Sequence, residues 1–180
     1  MATWNFDPAH SSIGFSVRHL MISKVRGHFG KWTGTFEYDE SDPTRSKLEV
    51  RIDAASIDTR DEKRDAHLRS PDFFDVEKYP ELVFASTGVE RDGADDFVVT
   101  GDLTIHGVTQ SVQLKVESLG RAKDPWGGQR AGFSAKTAIS RKEFGLHWNV
   151  ALEAGGVVVG DKIEITIEIE AIRAAEQKVA

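Results

Sequence analysis

The sequence predicts an all-β fold: an antiparallel β-barrel of about eight strands with a short helical insert near one end. Three observations lead to it. Apolar and polar residues alternate with a period of two along most of the chain, no strand–helix units repeat, and the alternation stops between Thr59 and Pro80. A long sheet must curl to bury its apolar side, in a sandwich or a closed barrel, and a Gly-rich, bulged second strand with a capping helix favours the barrel.

Composition narrows the functional classes. With 180 residues, of which 39% are hydrophobic and 29% charged, the chain has ordinary globular usage, which disfavours disorder and a membrane span. We expect a single domain over residues 1–173 and a polar tail over 174–180. The net charge of −6 argues against a nucleic-acid partner. The absence of cysteine from the sequence excludes disulfides, thiolate metal sites and a cysteine nucleophile.

The amino terminus bears on localisation. The first ten residues lack the basic start and apolar run of a secretory signal, and no apolar stretch approaches the roughly 20 residues of a transmembrane helix. We therefore expect a cytoplasmic protein without a transmembrane segment. A periplasmic location is the alternative if the sequence is a mature form trimmed from a precursor.

The first strands carry a change of phase. Ile13, Phe15 and Val17 give one apolar face after a turn at 7–12. In the next strand, apolar residues fall on odd numbers up to Phe29 and on even numbers from Trp32 onward. One extra residue near Gly30 or Lys31 explains the shift, so we predict a β-bulge and strong curvature there.

The insert from Thr59 to Pro80 is predicted to begin with a helix. Thr59 and Glu62 have the spacing of a capping box, which would start the helix at Thr59. Leu68, Phe73 and Phe74 provide an apolar side under many charged residues. Such a plug is typical of a barrel lid, where the polar end of a ligand meets an apolar bore.

A third strand is predicted over 48–54. The second half supplies the remaining strands, over 82–86, 97–105, 108–116, 133–139 and 163–171, with a tight hairpin at His106-Gly107. Residues 140–156 do not alternate and could cover either end of the barrel. Small residues recur among the expected inward positions, namely Ala54, Ala135, Gly34, Gly101 and Gly132. They could leave room for a ligand, or they could pack beside bulky neighbours.

Residues dispersed over nearly the whole chain resemble one family. The most distinctive lie in the insert: Glu62, Lys63, Arg64, Asp65, His67-Leu68, Ser70, Asp72-Phe73-Phe74-Asp75 and Tyr79-Pro80. Others are Asp7, His10-Ser11, Arg18-His19, Gly27, Phe29, Gly34, 55–59, 101–104, 106–109, Arg141, Phe144-Gly145 and Gly160-Asp161. The sequence thereby resembles the YceI-like family, lipocalin-like barrels that bind polyisoprenoids and related long-chain lipids. Many members look exported, and this sequence departs from them in lacking an export signal.

The resemblance implies non-catalytic carriage of a long-chain isoprenoid, of quinone or prenyl phosphate type, or a fatty lipid. A homodimer is plausible on the same ground. As bore walls we select Ile13, Phe15, Val17, Phe36, Val50, Ile52, Phe84, Leu103, Leu114, Phe133 and Ile165. For a charged head group the candidates are Arg18, His19, Arg64 and His67, because such a group needs paired donors away from bulk water. The alternative for Arg64 is an ion network with Asp61 or Asp65 that locks the lid.

Two other readings stay open. An enzyme acting on a lipid-like substrate could use His67 with Asp61 or Asp65, although the sequence has no nucleophile motif, phosphate loop or dinucleotide fingerprint. An interaction module would have a fully packed core. We predict no catalytic residues and no cofactor. The six histidines lack tight ligand spacing, so we predict no metal site.

Overall fold

The computed structural model describes residues 1–153 and 156–175. Within these ranges the chain forms eleven strands and one α-helix. The strands are β1 (Ala2–Phe6), β2 (Ser12–His19), β3 (Ser23–Phe29), β4 (Trp32–Tyr38), β5 (Lys47–Asp53), β6 (Ile57–Asp58), β7 (Glu81–Arg91), β8 (Asp96–Ile105), β9 (Val108–Lys123), β10 (Gln129–Ser140) and β11 (Val159–Arg173), and α1 is Glu62–Arg69. None of the described helices is long and apolar enough to cross a lipid bilayer.

Three of the long strands are interrupted, which reduces the eleven segments to a closed eight-stranded antiparallel barrel. A 3₁₀ turn at Pro8–His10 separates β1 from β2, and both pair with β11. Likewise β3 pairs with β2 while its continuation β4 pairs with β1. A second 3₁₀ turn, Ala54–Ser56, divides β5 from β6. The predicted fold class is confirmed.

The interruption between β3 and β4 lies where the sequence changes phase. Phe29 is the last residue of β3 and Trp32 the first of β4, and both side chains line the interior. Between them, the Gly30 N–H donates to the Ser56 carbonyl at 3.1 Å and Lys31 O accepts from Asp53 N–H at 3.0 Å. The irregular residues let the strand bend while the apolar face stays inside.

Strand β1 was not foreseen from the sequence. It contributes Trp4 and Phe6, which alternate with Thr3 and Asn5 just before Asp7-Pro8. Five residues give only a weak alternation signal. Pairing with β4 and β11 nevertheless buries the Trp4 side chain almost completely, at 1% exposure.

The insert forms the expected short helix, but the predicted capping box is wrong. Helix α1 begins at Glu62, and its N-cap is Asp61, whose Oδ1 accepts the Arg64 N–H at 3.0 Å. Thr59 lies before the cap, and its hydroxyl bonds Asp65 instead of a helix-terminal amide. Asp is as good an N-cap residue as Thr, so the local sequence allowed the helix to be capped by either Thr59 or Asp61.

Two of the predicted inward glycines are explained by bulky neighbours. A Cβ at Gly34 would collide with the Phe6 ring, and one at Gly101 would collide with the Phe84 ring. A Cβ at Gly132 would meet Leu119, an exposed side chain. Ala135 does line the interior, whereas Ala54 is fully buried in a 3₁₀ turn. Most of the predicted tail, residues 176–180, and residues 154–155 of the second irregular stretch lie outside the described residues.

Candidate ligand-binding site

The inward faces of the strands enclose an elongated cavity of about 270 Å³. Its lining includes side chains from both ends of the barrel, such as Phe73 at one end and Pro43 at the other. Among the described residues, no polar atom is exposed to this cavity. Binding sites for small molecules usually place a few polar groups in an apolar wall. Ser46, Thr137 and Arg141 are among the lining residues of this bore, but none of their polar atoms is exposed to it, so the exposed surface is apolar and suits a slender hydrocarbon chain.

All the predicted wall residues lie on this cavity: Ile13, Phe15, Val17, Phe36, Val50, Ile52, Phe84, Leu103, Leu114, Phe133 and Ile165. They come from eight of the eleven segments, so the strand phases read from the sequence agree with the pleat of the barrel. That these residues contact a ligand stays a prediction. The lining further includes Phe6, Tyr38 and Leu146, which sequence reasoning did not select.

One end of the bore, which we call the aromatic end, is closed by a ring cluster. Phe36 packs at 5.5 Å from Tyr38 and at 5.6 Å from Phe133, measured between ring centroids. Trp4 meets the Tyr38 ring edge to face at 5.8 Å. These side chains come from β1, β4 and β10, so the cluster joins three strands. Large rings, stacked or packed edge to face, close this end of the bore, and we call them the ring floor.

The opposite end, which we call the helix end, carries the insert. Leu68 from α1 and Phe73 and Phe74 from the following loop point at the cavity. Phe29 contacts Phe74 edge to face at 6.0 Å, and Leu146 adds a wall residue from the irregular stretch after β10. The predicted apolar underside of the insert therefore covers the bore.

A buried hydrogen-bond network holds α1 in place. Asp65 Oδ1 accepts the Thr59 N–H at 2.9 Å and the Thr59 hydroxyl at 2.5 Å. The Arg64 guanidinium donates through Nε to the same hydroxyl oxygen at 2.8 Å and through Nη2 to the Thr59 carbonyl at 2.7 Å. The expected locking role of Arg64 is thus present, with Thr59 as its bonding partner in place of Asp61 or Asp65.

Arg141 fastens the irregular stretch at the same end. Its guanidinium donates to the carbonyls of Leu146, Trp148, Val159 and Gly160 at 2.7 to 3.3 Å. The side chain is buried, and the loss of solvation lowers its pKa, which the nearby Asp161 carboxylate partly offsets. Arg141 was noted in the sequence only through the family resemblance. Its partners are backbone carbonyls 5 to 19 residues away along the chain, which no residue pattern reveals.

The other head-group candidates lie away from the cavity. His67 Nε2 is 2.8 Å from Asp72 Oδ2, and the His67 ring packs against Phe73 and Trp148. Arg18 is exposed on β2, followed by the half-buried His19. In the part of the chain that the structure describes, none of Arg18, His19, Arg64 and His67 lines the bore. Their contact with a head group stays a prediction.

One group of potential metal ligands occurs among the described residues. Asp7, His10 and Glu170 bring ligand atoms within 4.8 Å of one another. Arg130, however, already donates to the carboxylates of Asp7 and Glu170, and also to Asp124 at 3.0 Å. The guanidinium thus supplies the positive charge that these acids would otherwise offer to a cation.

A family model for the YceI-like domain matches residues 4–171. The chain belongs to the YceI-like family. A UPF0312 protein of Photorhabdus laumondii is 43% identical over 164 residues, which are 91% of this chain and 82% of that protein. Protein YceI of Escherichia coli O17:K52:H18 is 40% identical over the same shares of each chain. The predicted family membership is therefore confirmed, with bacterial relatives.

Solved structures agree with the barrel. The Campylobacter jejuni YCEI protein is 33% identical, with a TM-score of 0.75 over 88% of this chain and 90% of that one. BcnA of Burkholderia cenocepacia, at 23% identity, has the same fold with a TM-score of 0.80 over 92% of this chain and 99% of that chain. A polyisoprenoid binding domain from Saccharophagus degradans has the fold at 15% identity, with a TM-score of 0.66 over 97% of this chain and 100% of that chain.

Proposed function

We propose that this YceI-like barrel is a non-catalytic carrier that holds one long-chain lipid, a polyisoprenoid above all, in its bore. The observation that carries the proposal is the apolar surface that the described residues expose to a cavity lined from the helix end to the aromatic end. The polyisoprenoid binding domain of Saccharophagus degradans is a precedent for such a ligand in the same fold.

The binding energy would come from burial of hydrocarbon. Each buried CH₂-sized group contributes about 0.8 kcal/mol, so one five-carbon unit contributes about 3–4 kcal/mol. A few units suffice for tight binding, although the cost of ordering the lipid chain and the wall side chains offsets part of this gain. Because no polar atom of the described residues is exposed to the bore, it would select ligands by length and thickness more than by chemical detail.

The residues of the enzyme alternative have structural partners. Asp61 caps α1, Asp65 accepts two bonds from Thr59, and His67 pairs with Asp72. None of these three side chains lines the cavity in the described structure. No observation therefore favours proton transfer to a bound chain over simple carriage.

The test is lipid retention in variants that fill the bore. We expect Ile52→Trp and Phe15→Trp to reduce the lipid recovered by organic extraction at least about tenfold, because added bulk takes the space of the chain. The control is Thr33→Trp, at an exposed position beside Trp32, which should retain lipid normally. Circular dichroism would verify that all three variants fold.

Equal recovery from filled and control variants would contradict the proposal. Conversion of an added lipid to a product, lost on His67→Ala, would favour the enzyme instead. The expected cytoplasmic location and the homodimer remain separate predictions, to be checked by fractionation and by the mass of the native particle.

A further inference from the structure

The barrel wall has a seam at the helix end, between β9 and β10. The ladder that joins these strands ends at the pair Lys115–Lys136, whereas β9 begins at Val108 and β10 continues to Ser140. Each strand remains paired on its other side, β9 with β8 down to Val108 and β10 with β11 up to Ser140. The two strands therefore part while each stays anchored in the sheet.

A groove of about 570 Å³ lies between the two strands where they part. One end of the groove is closed by the last pair of the β9–β10 ladder. At the other end, the 3₁₀ turn Arg141–Phe144 approaches β9, where Gln110 Nε2 donates to the Glu143 carbonyl at 3.2 Å. The groove is lined by Thr100, Gln110, Ser111, Val112, Gln113, Thr137, Ala138, Ile139, Ser140, Glu143 and Phe144.

The groove adjoins the apolar bore. Val112, Thr137 and Ile139 line both spaces, so these three side chains form the partition between them. All three are only partly buried. Rotamer changes in such side chains are fast and need no rearrangement of the backbone. A chain lying in the bore could thus place its end in the groove.

The chemistry of the groove is polar without positive charge. Hydroxyls and amides come from Thr100, Gln110, Ser111, Gln113 and Thr137, and Glu143 is the one charged side chain among the lining residues that the structure describes. Lys115 and Lys136 are exposed at the end that the ladder closes and do not line the groove. Hydroxyl and amide groups can donate and accept hydrogen bonds to neutral heads. A phosphate would meet a carboxylate and no cation among the groove's lining residues, which is unfavourable. Arg141 follows Ser140 and lines the bore, but its guanidinium already donates to four backbone carbonyls.

We propose that the groove between β9 and β10 is the head-group subsite of the bound lipid and that it takes an uncharged, hydrogen-bonding head, such as a hydroxyl or a quinone carbonyl, and not a phosphate. This proposal rests on the proposed function and narrows its ligand from isoprenoids in general to neutral ones. The proposal places the head group beside β9 and β10, in a groove that is not lined by the candidates selected from the sequence, Arg18, His19, Arg64 and His67.

The test compares three ligands of one chain length: an isoprenoid alcohol, its monophosphate and the matching hydrocarbon, each displacing a fluorescent fatty probe from lipid-free protein. We expect the alcohol to bind at least about tenfold more tightly than the monophosphate, the equivalent of about 1.4 kcal/mol. The charge reversal Glu143→Lys should improve monophosphate binding and leave the hydrocarbon unchanged.

A second arm fills the groove. In the unsubstituted protein the alcohol should also bind more tightly than the hydrocarbon. Ala138→Trp, at an exposed position on β10, should remove this advantage and leave hydrocarbon binding as it was. The matched control is Gln129→Trp, exposed on the same strand at the aromatic end, which should change neither ligand. Circular dichroism of both variants would verify their folding.

The outcomes separate this subsite from the carrier function. Monophosphate binding as tight as that of the alcohol, or an equal loss of alcohol and hydrocarbon on Ala138→Trp, would overturn the subsite while the carrier function stands. Failure of all three ligands to displace the probe from the unsubstituted protein would overturn both.

Discussion

The aromatic end and the helix end close the same bore by different chemistry. At the aromatic end, Trp4, Phe36, Tyr38 and Phe133 fill the barrel with packed rings from three strands. At the helix end, Leu68, Phe73 and Phe74 also pack over the bore, but α1 itself is held in place by directional bonds around the Thr59 hydroxyl.

This difference indicates which end could open. Separating packed rings exposes a large apolar area to water, which costs free energy in proportion to that area. Hydrogen bonds exchange with water at a smaller net cost of about 0.5–1.5 kcal/mol each. The helix end, which also holds the seam between β9 and β10, is therefore the end at which we expect a ligand to enter.

The largest expected effect lies at the aromatic end. Trp4→Ala should lower the free energy of unfolding by about 3–5 kcal/mol, because it removes a fully buried ring from the floor. Urea denaturation measures the change, with Thr3→Ala as the exposed neighbouring control. In the described structure Trp4 Nε1 has no hydrogen-bond partner, so Trp4→Phe should recover most of the loss. A loss below about 1 kcal/mol for Trp4→Ala would contradict the ring-floor account.

A smaller, local effect is expected at the helix end. Asp65→Ala leaves the buried Thr59 N–H and hydroxyl without their acceptor, which should cost about 2–3 kcal/mol. Hydrogen exchange should accelerate in residues 62–69 and stay unchanged in β1 and β4. Glu62→Ala, on the exposed side of α1, is the control. Equal acceleration at both ends would show that the lid does not open on its own.

A pH-dependent effect on stability is expected from the turn at residues 39–42, which follows β4 at the aromatic end. The buried Asp39 carboxylate accepts hydrogen bonds from the Ser41 hydroxyl and from the Asp42 and Ser41 N–H groups, which lower its pKa to about 2 from 3.8. Because the folded pKa is depressed, this stabilisation is present above about pH 4 and is lost as the pH falls through 2.

The measurement is thermal unfolding of Asp39→Asn against the unsubstituted protein between pH 7 and pH 2. The difference in Tm should be largest at neutral pH and shrink toward zero at the acid end. A difference independent of pH would mean that the ionised form of Asp39 contributes nothing special to the turn.

The smallest effect is expected for His67. Its bond to Asp72 is partly exposed, so His67→Ala should lower the free energy of unfolding by about 1 kcal/mol through lost contact with Phe73 and Trp148. Lipid retention should not change, because the ring does not line the bore. Lost retention on this substitution, with retention preserved in Glu62→Ala, would place His67 at the ligand.

Sequence patterns predicted the features of the fold that depend on which face of a strand a residue occupies. The wall residues from Ile13 to Ile165, the bend near Gly30 and the tight turn at His106-Gly107 all follow from alternation or turn chemistry. His106 and Gly107 indeed both have positive φ, at 54° and 72°, as a two-residue hairpin turn of type I′ requires. These features are local, and a period of two leaves little choice of face.

Features that depend on distant partners were missed. The helix cap could have been Thr59 or Asp61, and only the position of Asp65 in the fold assigns Thr59 to the network. Arg141 is fixed by carbonyls that approach through folding, and the seam between β9 and β10 appears only in the register of the ladder. Where the two strands part, polar residues interrupt the alternation, Thr109 to Ser111 in β9 and Lys136-Thr137 in β10. Such short polar runs are common near strand ends, so the sequence alone does not mark the seam.

The most direct test of a hollow, lipid-holding barrel is native mass spectrometry of the protein after exposure to a polyisoprenoid alcohol. The account predicts one added lipid mass per chain, absent when Ile52→Trp fills the bore. A spectrum that contains only the bare protein mass, before and after exposure, would contradict it.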